Sequence, residues 1–216
     1  MLRQRVAVLI DYENVRLTCR GLFGRSGAPS WFGHVDPLRL ARLVVGERTL
    51  AYTYVFRGEP DQSESLRDWE DFSQRRDTWQ RAGVLVESAS VRHATEKGMD
   101  VALASELMLG AALDKYDVAV IVSGDNDFLT AIPRARLLHR EVEVAGWHSP
   151  PDGPGGAMMR VPAGVRRHHL DQAAFRRIAS DPGRTSRYME DRDRPTAMRQ
   201  ALVDAGLVVA AAQAAA

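Results

Sequence analysis

Val118-Ala119-Val120-Ile121-Val122-Ser123-Gly124-Asp125-Asn126-Asp127-Phe128 is a five-residue apolar run that ends abruptly in a polar turn carrying two carboxylates. A short run of this kind, rich in β-branched residues and lacking alternation, reads as a strand buried on both faces of a sheet. Four more runs of strand length share its character: Val6 to Ile10, Leu50 to Phe56, Val84 to Val86 and Val142 to Ala145. Amphipathic segments fill the gaps, with helices expected at Pro37 to Val45, Gln62 to Arg81, Met99 to Leu113 and about Phe128 to Leu138. Strands alternating with helices predict an α/β fold, a three-layer sandwich around a central, mainly parallel sheet. In the second helix Leu66, Trp69, Phe72 and Trp79 fall on one face, a stripe that reads as core and not as a base-stacking platform. Pro133 is expected in the first turn of its helix, where the missing N–H is tolerated.

Two regions interrupt the pattern. Arg20 to Gly33 is rich in Gly, Ser and Pro and reads as a long loop between the first strand and the first helix. Ser149 to Gly156 reads as a linker ahead of a last strand and helix around Arg160 to Ile178. The folded domain is therefore expected over 1–178, with 179–216 an Arg/Asp-rich and then Ala-rich flexible tail.

Composition sets limits on function. With 216 residues and 45% hydrophobic content, the chain suffices for one buried core. Lys97 and Lys115 are the only lysines among 29 basic residues, and arginine favours planar, bidentate contact with phosphate or carboxylate. A net charge of +1 nevertheless removes bulk electrostatics as an argument for nucleic-acid binding. The single cysteine, Cys19, has no partner and points to a reducing compartment. No segment has the length and apolarity of a membrane span or signal sequence, so a cytoplasmic protein with no membrane association is expected.

The carboxylates carry the chemistry. Asp11 ends the first strand at the carboxyl edge, where ligands bind parallel sheets, and Asn14 follows one turn later. Asp125 and Asp127 occupy the same place after the fourth strand, with Gly124 read as permitting a tight turn. Each could be a helix cap, yet two adjacent carboxylates repel unless a cation neutralises them. Asp100 heads the stripe Leu103, Ala104, Leu107 and Ala111 and is expected to point inward at the sheet edge. Four aspartates at three strand-to-helix junctions suggest one acidic pocket, and hard oxygen donors suit Mg²⁺ or Mn²⁺ over zinc. The histidines offer no rival site: His34, His93 and His148 lack ligand-like spacing, and His168 and His169 are expected to diverge in a helix.

LIDYENVR at Leu9–Arg16, EKGMDVALASEL at Glu96–Leu107 and VSGDNDF at Val122–Phe128 together resemble the NYN domain of the PIN-like nuclease superfamily, in its LabA-like branch. HREVEVAG at His139–Gly146 and LDQAAF at Leu170–Phe175 resemble that family's later strand and closing helix. The resemblance implies a Rossmann-like, PIN-like sheet, a Mg²⁺ or Mn²⁺ cofactor held by Asp11, Asp100, Asp125 and Asp127, and RNA as substrate and partner, with a homodimer left open. On that reading the chain is a metal-dependent nuclease with Asn14 joining the four aspartates in catalysis and Ser123, Lys97 and Arg16 contacting substrate. The competing reading is a non-catalytic RNA-binding or regulatory adaptor that keeps the pocket. His139 departs from the family pattern, which often has a helix-ending glycine there.

Overall fold

The computed structural model describes residues 3–24, 27–90, 98–148, 156–191 and 193. Among these residues six strands form one sheet: β1 (Arg5–Asp11), β2 (Thr49–Glu59), β3 (Leu85–Ser90), β4 (Val118–Val122), β5 (Glu141–Trp147) and β6 (Arg167–Leu170). Their order is β3-β2-β1-β4-β5-β6 and every pairing is parallel. This is the doubly wound Rossmann-type order, in which the chain leaves β1 in one direction and returns to β4 on its other side. The crevice at that reversal opens at the carboxyl ends of β1 and β4.

The strand period of two explains the layers. Val6, Val8 and Ile10 of β1 enter one core with Val118, Val120 and Val122 of β4, while Ala7, Leu9, Ala119 and Ile121 enter the other. The first core is covered by α1 (Tyr12–Phe23), α2 (Pro37–Val45), the end of α3 (Leu66–Arg81) and α6 (Gln172–Ile178); the second by α4 (Met99–Ala112) and α5 (Ala131–Leu137). Helix α2 shows how locally the elements are specified. Asp36 caps it by accepting from Leu38 N and Arg39 N, Pro37 occupies its first turn, and Gly46 ends it at φ 61°. The cap contributes about 1 kcal/mol. Pro133 sits in the first turn of α5, as its chemistry requires.

Several expectations are corrected. The region read as a loop from Arg20 begins inside α1, whose buried stripe Tyr12, Val15, Cys19 and Phe23 falls at helical spacing among polar neighbours. What remains of the loop is pinned, since Ala28, Phe32 and Val35 are buried and Val35 bridges to Ala179. In the α3 stripe only Phe72 and Trp79 are buried; Leu66 is exposed at the helix start, and Trp69 is partly covered while donating to Glu59. His168 and His169 lie in β6, so strand geometry, not a helix, sends them apart. The fold also runs past residue 178. Residues 182–191 form a helix, here α7, whose Thr185 and Met189 are buried and whose Tyr188 ring stands 4.7 Å from Phe32. The polar composition of this segment concealed an apolar face. The Ser149–Gly156 linker falls almost wholly outside the described residues, but Ala157 just beyond it bridges to Trp147.

Candidate acidic site at the carboxyl edge

Asp11 is the last residue of β1 and the N-cap of α1. Its Oδ1 accepts from Asn14 N at 3.3 Å, and its Oδ2 accepts the Ser123 hydroxyl hydrogen at 2.8 Å. Ser123 is 1% exposed, and its Oγ accepts from Asp125 N at 3.0 Å. Asn14 reaches across as well, its Oδ1 accepting from Gly124 N at 2.9 Å. These bonds clasp the end of β1 to the turn after β4, so Asp11, Asn14, Ser123 and Asp125 are brought together at the switch point of the sheet.

Asp125 caps the 3-10 turn Asn126–Thr130, accepting from Asp127 N at 3.0 Å, and Asp127 faces solvent in that turn. The reading of Asp11 and Asp125 as caps is therefore realised for both. Capping does not exhaust a carboxylate, which offers about four lone-pair sites.

Gly124 owes its identity to a neighbour. A Cβ there would stand 2.7 Å from Ala157 Cβ and 3.0 Å from Ala157 O. The requirement is close approach, since its backbone does not occupy the left-handed region that a glycine-specific turn would need. Asn126 Oδ1 fastens the same crossing segment by accepting from Arg160 N at 2.9 Å.

Asp100 lies in the first turn of α4 and is exposed, not inward. The buried stripe of α4 runs through Met99, Leu103, Leu107 and Ala111, and Asp100, one residue past Met99, sits at its margin. It still belongs to the site electrostatically. Partial withdrawal from water raises its carboxyl above the usual range, and the negative charges of Asp125 and Asp127 raise it further.

The donor chemistry suits a hard divalent cation, and the crowding felt by Asp100 is what such an ion would relieve. The arrangement is open, however. Among the described residues no three His, Cys, Asp or Glu side chains stand together as a metal-holding set. Asp11, Asp100, Asp125 and Asp127 lie along one edge of the sheet without closing around a common point. Asp11 and Asp125 have turned toward backbone and hydroxyl donors, and Asp100 stands off in solvent.

Arg16 is elsewhere, hydrogen-bonded to Glu13 on the flank of α1 that faces α3. Lys97 lies outside the described residues, as do Arg25 and His93. A further group went unnoticed in the sequence. Arg57 follows Phe56, the register partner of Asp11, and its guanidinium is buried between the rings of Tyr12 and Phe72. A charged residue extending an apolar strand at its carboxyl end was the available signal. His34 Nδ1 lies 3.1 Å from Tyr12 Oη. The tyrosine donates its only hydrogen to Val35 O, so His34 must donate from Nδ1 and is neutral or fully protonated. Burial, and then Arg75, Arg57, Arg16 and Arg20, lower its pKa to about 2, which leaves it neutral.

The NYN domain family model matches residues 5–156. The match is to the family and does not distinguish its branches. A crystal structure of a protein of unknown function from Vibrio parahaemolyticus is similar in fold, with a TM-score of 0.54 at 16% identity over 79% of this chain and 94% of that one. No curated protein matches the chain. Among the described residues no helix is long and apolar enough to cross a membrane.

Proposed function

From membership of the NYN domain family, to which the chain belongs, we propose that this protein is a metal-dependent phosphodiesterase, specifically an endoribonuclease acting on RNA. The observation that carries the reading is the clasp between Asp11 and Ser123, which joins the two acidic strand ends at the switch point, with Asp100 near enough to Asp125 and Asp127 to feel their charge. Mg²⁺ or Mn²⁺ held by Asp11, Asp100, Asp125 and Asp127 would supply an activated water and neutralise charge developing on phosphate. The chain's own contribution is positioning. Ser123, with its hydroxyl hydrogen given to Asp11, orients that carboxylate and is too buried to meet substrate. Asn14, anchored through Oδ1 on Gly124 N, keeps its Nδ2 hydrogens as donors to a phosphate oxygen or water. Asp127, exposed beside Asp125, would accept a hydrogen bond from a water and so orient it.

The test is Mn²⁺-dependent cleavage of single-stranded and structured RNA, compared with Asp100→Asn and Asp125→Asn. Cleavage by the natural chain alone is expected. Equal RNA binding in EDTA, with no cleavage by any version, would sink the nuclease reading. It would favour a non-catalytic RNA-binding adaptor, a reading that the open arrangement of the carboxylates supports.

A further inference from the structure

A cavity of about 270 Å³ lies between α1 and α3, and none of the four aspartates lines it. At about 30 Å³ per water it has room for several waters, and so for a phosphoryl group. Glu13, Asp68 and Asp71 line it, and four arginines reach it: Arg16, Arg20, Arg57 and Arg75. Two of them are engaged. Arg16 bonds to Glu13, and Arg20 donates to Ala28 O. Arg57 is different. It is 8% exposed, and its Nε and Nη1 are buried without a hydrogen-bond acceptor among the described residues. Glu13 Oε2 stands 3.5 Å from Nε, within ion-pair reach but without the geometry of a hydrogen bond. Two aromatic faces hold the guanidinium plane, with Cζ 5.3 Å from the Tyr12 ring centre and 5.0 Å from that of Phe72. Buried charged donors left unpaired are unfavourable, and folded chains supply them with a partner. Arg75, half-buried on α3, opens on the same space.

We propose that this cavity is a phosphate-binding site, in which Arg57 and Arg75 take the oxygens of a phosphoryl group at the end of a nucleotide chain. A guanidinium held in one orientation between two rings presents a fixed positive charge to an oxyanion, and a charge-assisted contact is a strong one. Arg57 is one residue past the register partner of Asp11, and neighbouring strands are about 4.8 Å apart, so the cavity adjoins the acidic site along α1. The inference rests on the phosphodiesterase reading for the carrier of the phosphate. The oxyanion site itself does not depend on it.

The experiment measures binding of one oligoribonucleotide, with a 5′-phosphate or a 5′-hydroxyl, to the full chain in EDTA, with inorganic phosphate as competitor. The 5′-phosphate is expected to tighten binding by about 10-fold, the effect of one charge-assisted contact. Inorganic phosphate should erase the difference, and so should Arg57→Gln. Arg75→Gln, at a less buried position, supplies the same readout if the Arg57 variant does not fold. Competition by phosphate without an end preference would keep the oxyanion site and assign it to internal phosphates. Equal binding of both oligonucleotides with no competition overturns the proposal. Asp100→Asn should retain the 5′-phosphate preference while losing cleavage. A chain that shows the preference but never cleaves defeats the nuclease reading alone.

Discussion

The hydroxyl of Ser123 donates to Asp11 Oδ2 at 2.8 Å, joining two strand ends that are 112 positions apart in the chain. The Ser123 Oγ in turn accepts from Asp125 N. Replacing Ser123 by Ala therefore removes the hydroxyl donor from Asp11 Oδ2 and takes the side-chain acceptor from the part-buried Asp125 N–H. Ser123→Ala should destabilise the fold by about 1–3 kcal/mol, the range for a buried polar group left unsatisfied. It should also lower kcat by more than it changes KM, because it disturbs orientation without touching substrate. Urea unfolding and steady-state cleavage check the two parts, and a variant with native kcat would remove Ser123 from the positioning role.

Asp100 separates stability from activity. Its carboxyl is pushed up by partial loss of water and by the charges of Asp125 and Asp127, so at neutral pH the ionised group works against the fold. Asp100→Asn relieves that repulsion. Because the residue is exposed, solvent screens the effect to at most about 1 kcal/mol. For a chain of this size that amounts to a rise of about 2–4 °C in Tm, accompanied by loss of cleavage. A lower Tm would mean that Asp100 serves the fold.

His34 predicts an acid limit. Its pKa in the fold is lowered to about 2, by burial first and then by Arg75, Arg57, Arg16 and Arg20, against about 6.5 when unfolded. The unfolded chain binds a proton that the folded chain refuses. The stability owed to neutral His34 is thus present above pH 6.5 and drains as pH falls toward 2, at up to about 1.4 kcal/mol per pH unit. His34→Gln, which cannot titrate, should flatten unfolding free energy between pH 6 and 4.5. An unchanged slope would assign the acid sensitivity to other groups.

How far the sequence revealed all this depended on the range of the forces involved. The β1 and β4 runs were legible because a strand buried on both faces is apolar throughout, and α2 because its cap, proline and glycine are local signals. Helix α1 was hidden: Glu13, Asn14, Arg16 and Arg20 dilute its buried stripe, and glycine and proline beyond it suggested a loop. That Asp11, Asp100, Asp125 and Asp127 share an edge followed from topology. Their aim did not, because an offset of one residue from Met99 decides whether Asp100 faces the core or solvent. Arg57 is the same difficulty in reverse, since only tertiary packing buries it between Tyr12 and Phe72.

Gly124 tests the packing over the site. A Cβ at Gly124 would press on Ala157, and one at Gly146 on the neighbouring strand would stand 2.6 Å from Ala157 O. Gly124→Ala must push the crossing segment outward, at about 1–3 kcal/mol for an overpacked contact. Loss of the Asn14 bond to Gly124 N would follow, so reduced cleavage should accompany the fall in Tm. A fully stable Gly124→Ala would show that the segment yields freely.

His139, at φ 59°, holds a left-handed conformation at the end of α5 that glycine adopts without penalty. His139→Gly should therefore stabilise the fold by up to about 1 kcal/mol, less the greater freedom glycine gives the unfolded chain. The site is remote from this turn, so kcat should stay the same. Thermal unfolding and cleavage measured together check it, and a destabilised variant would mean that the imidazole makes a contact worth more than the strain it imposes.

Glu143 is a second, purely structural carboxylate, 4% exposed, gripped by Arg48 through both nitrogens at 2.8 and 2.9 Å and by His168 at 2.6 Å. Burial alone would raise its pKa, but the hydrogen bonds from His168 and Arg48 outweigh it and hold the carboxyl at about 2. A depressed carboxyl stabilises the fold above its unfolded value, about 4.3, and that contribution is lost as pH falls through about 2. This window begins below the one opened by His34, so acid unfolding should steepen near pH 4. Arg48→Ala removes the bidentate partner and leaves the buried charge to His168 and the more distant Arg166, at up to about 3–5 kcal/mol. Adding Glu143→Gln to that variant should recover much of the loss, because the stranded charge, not the missing contact, is the larger penalty. Additive losses in the double variant would instead show that the pair is held by packing around it, and that its charges contribute little.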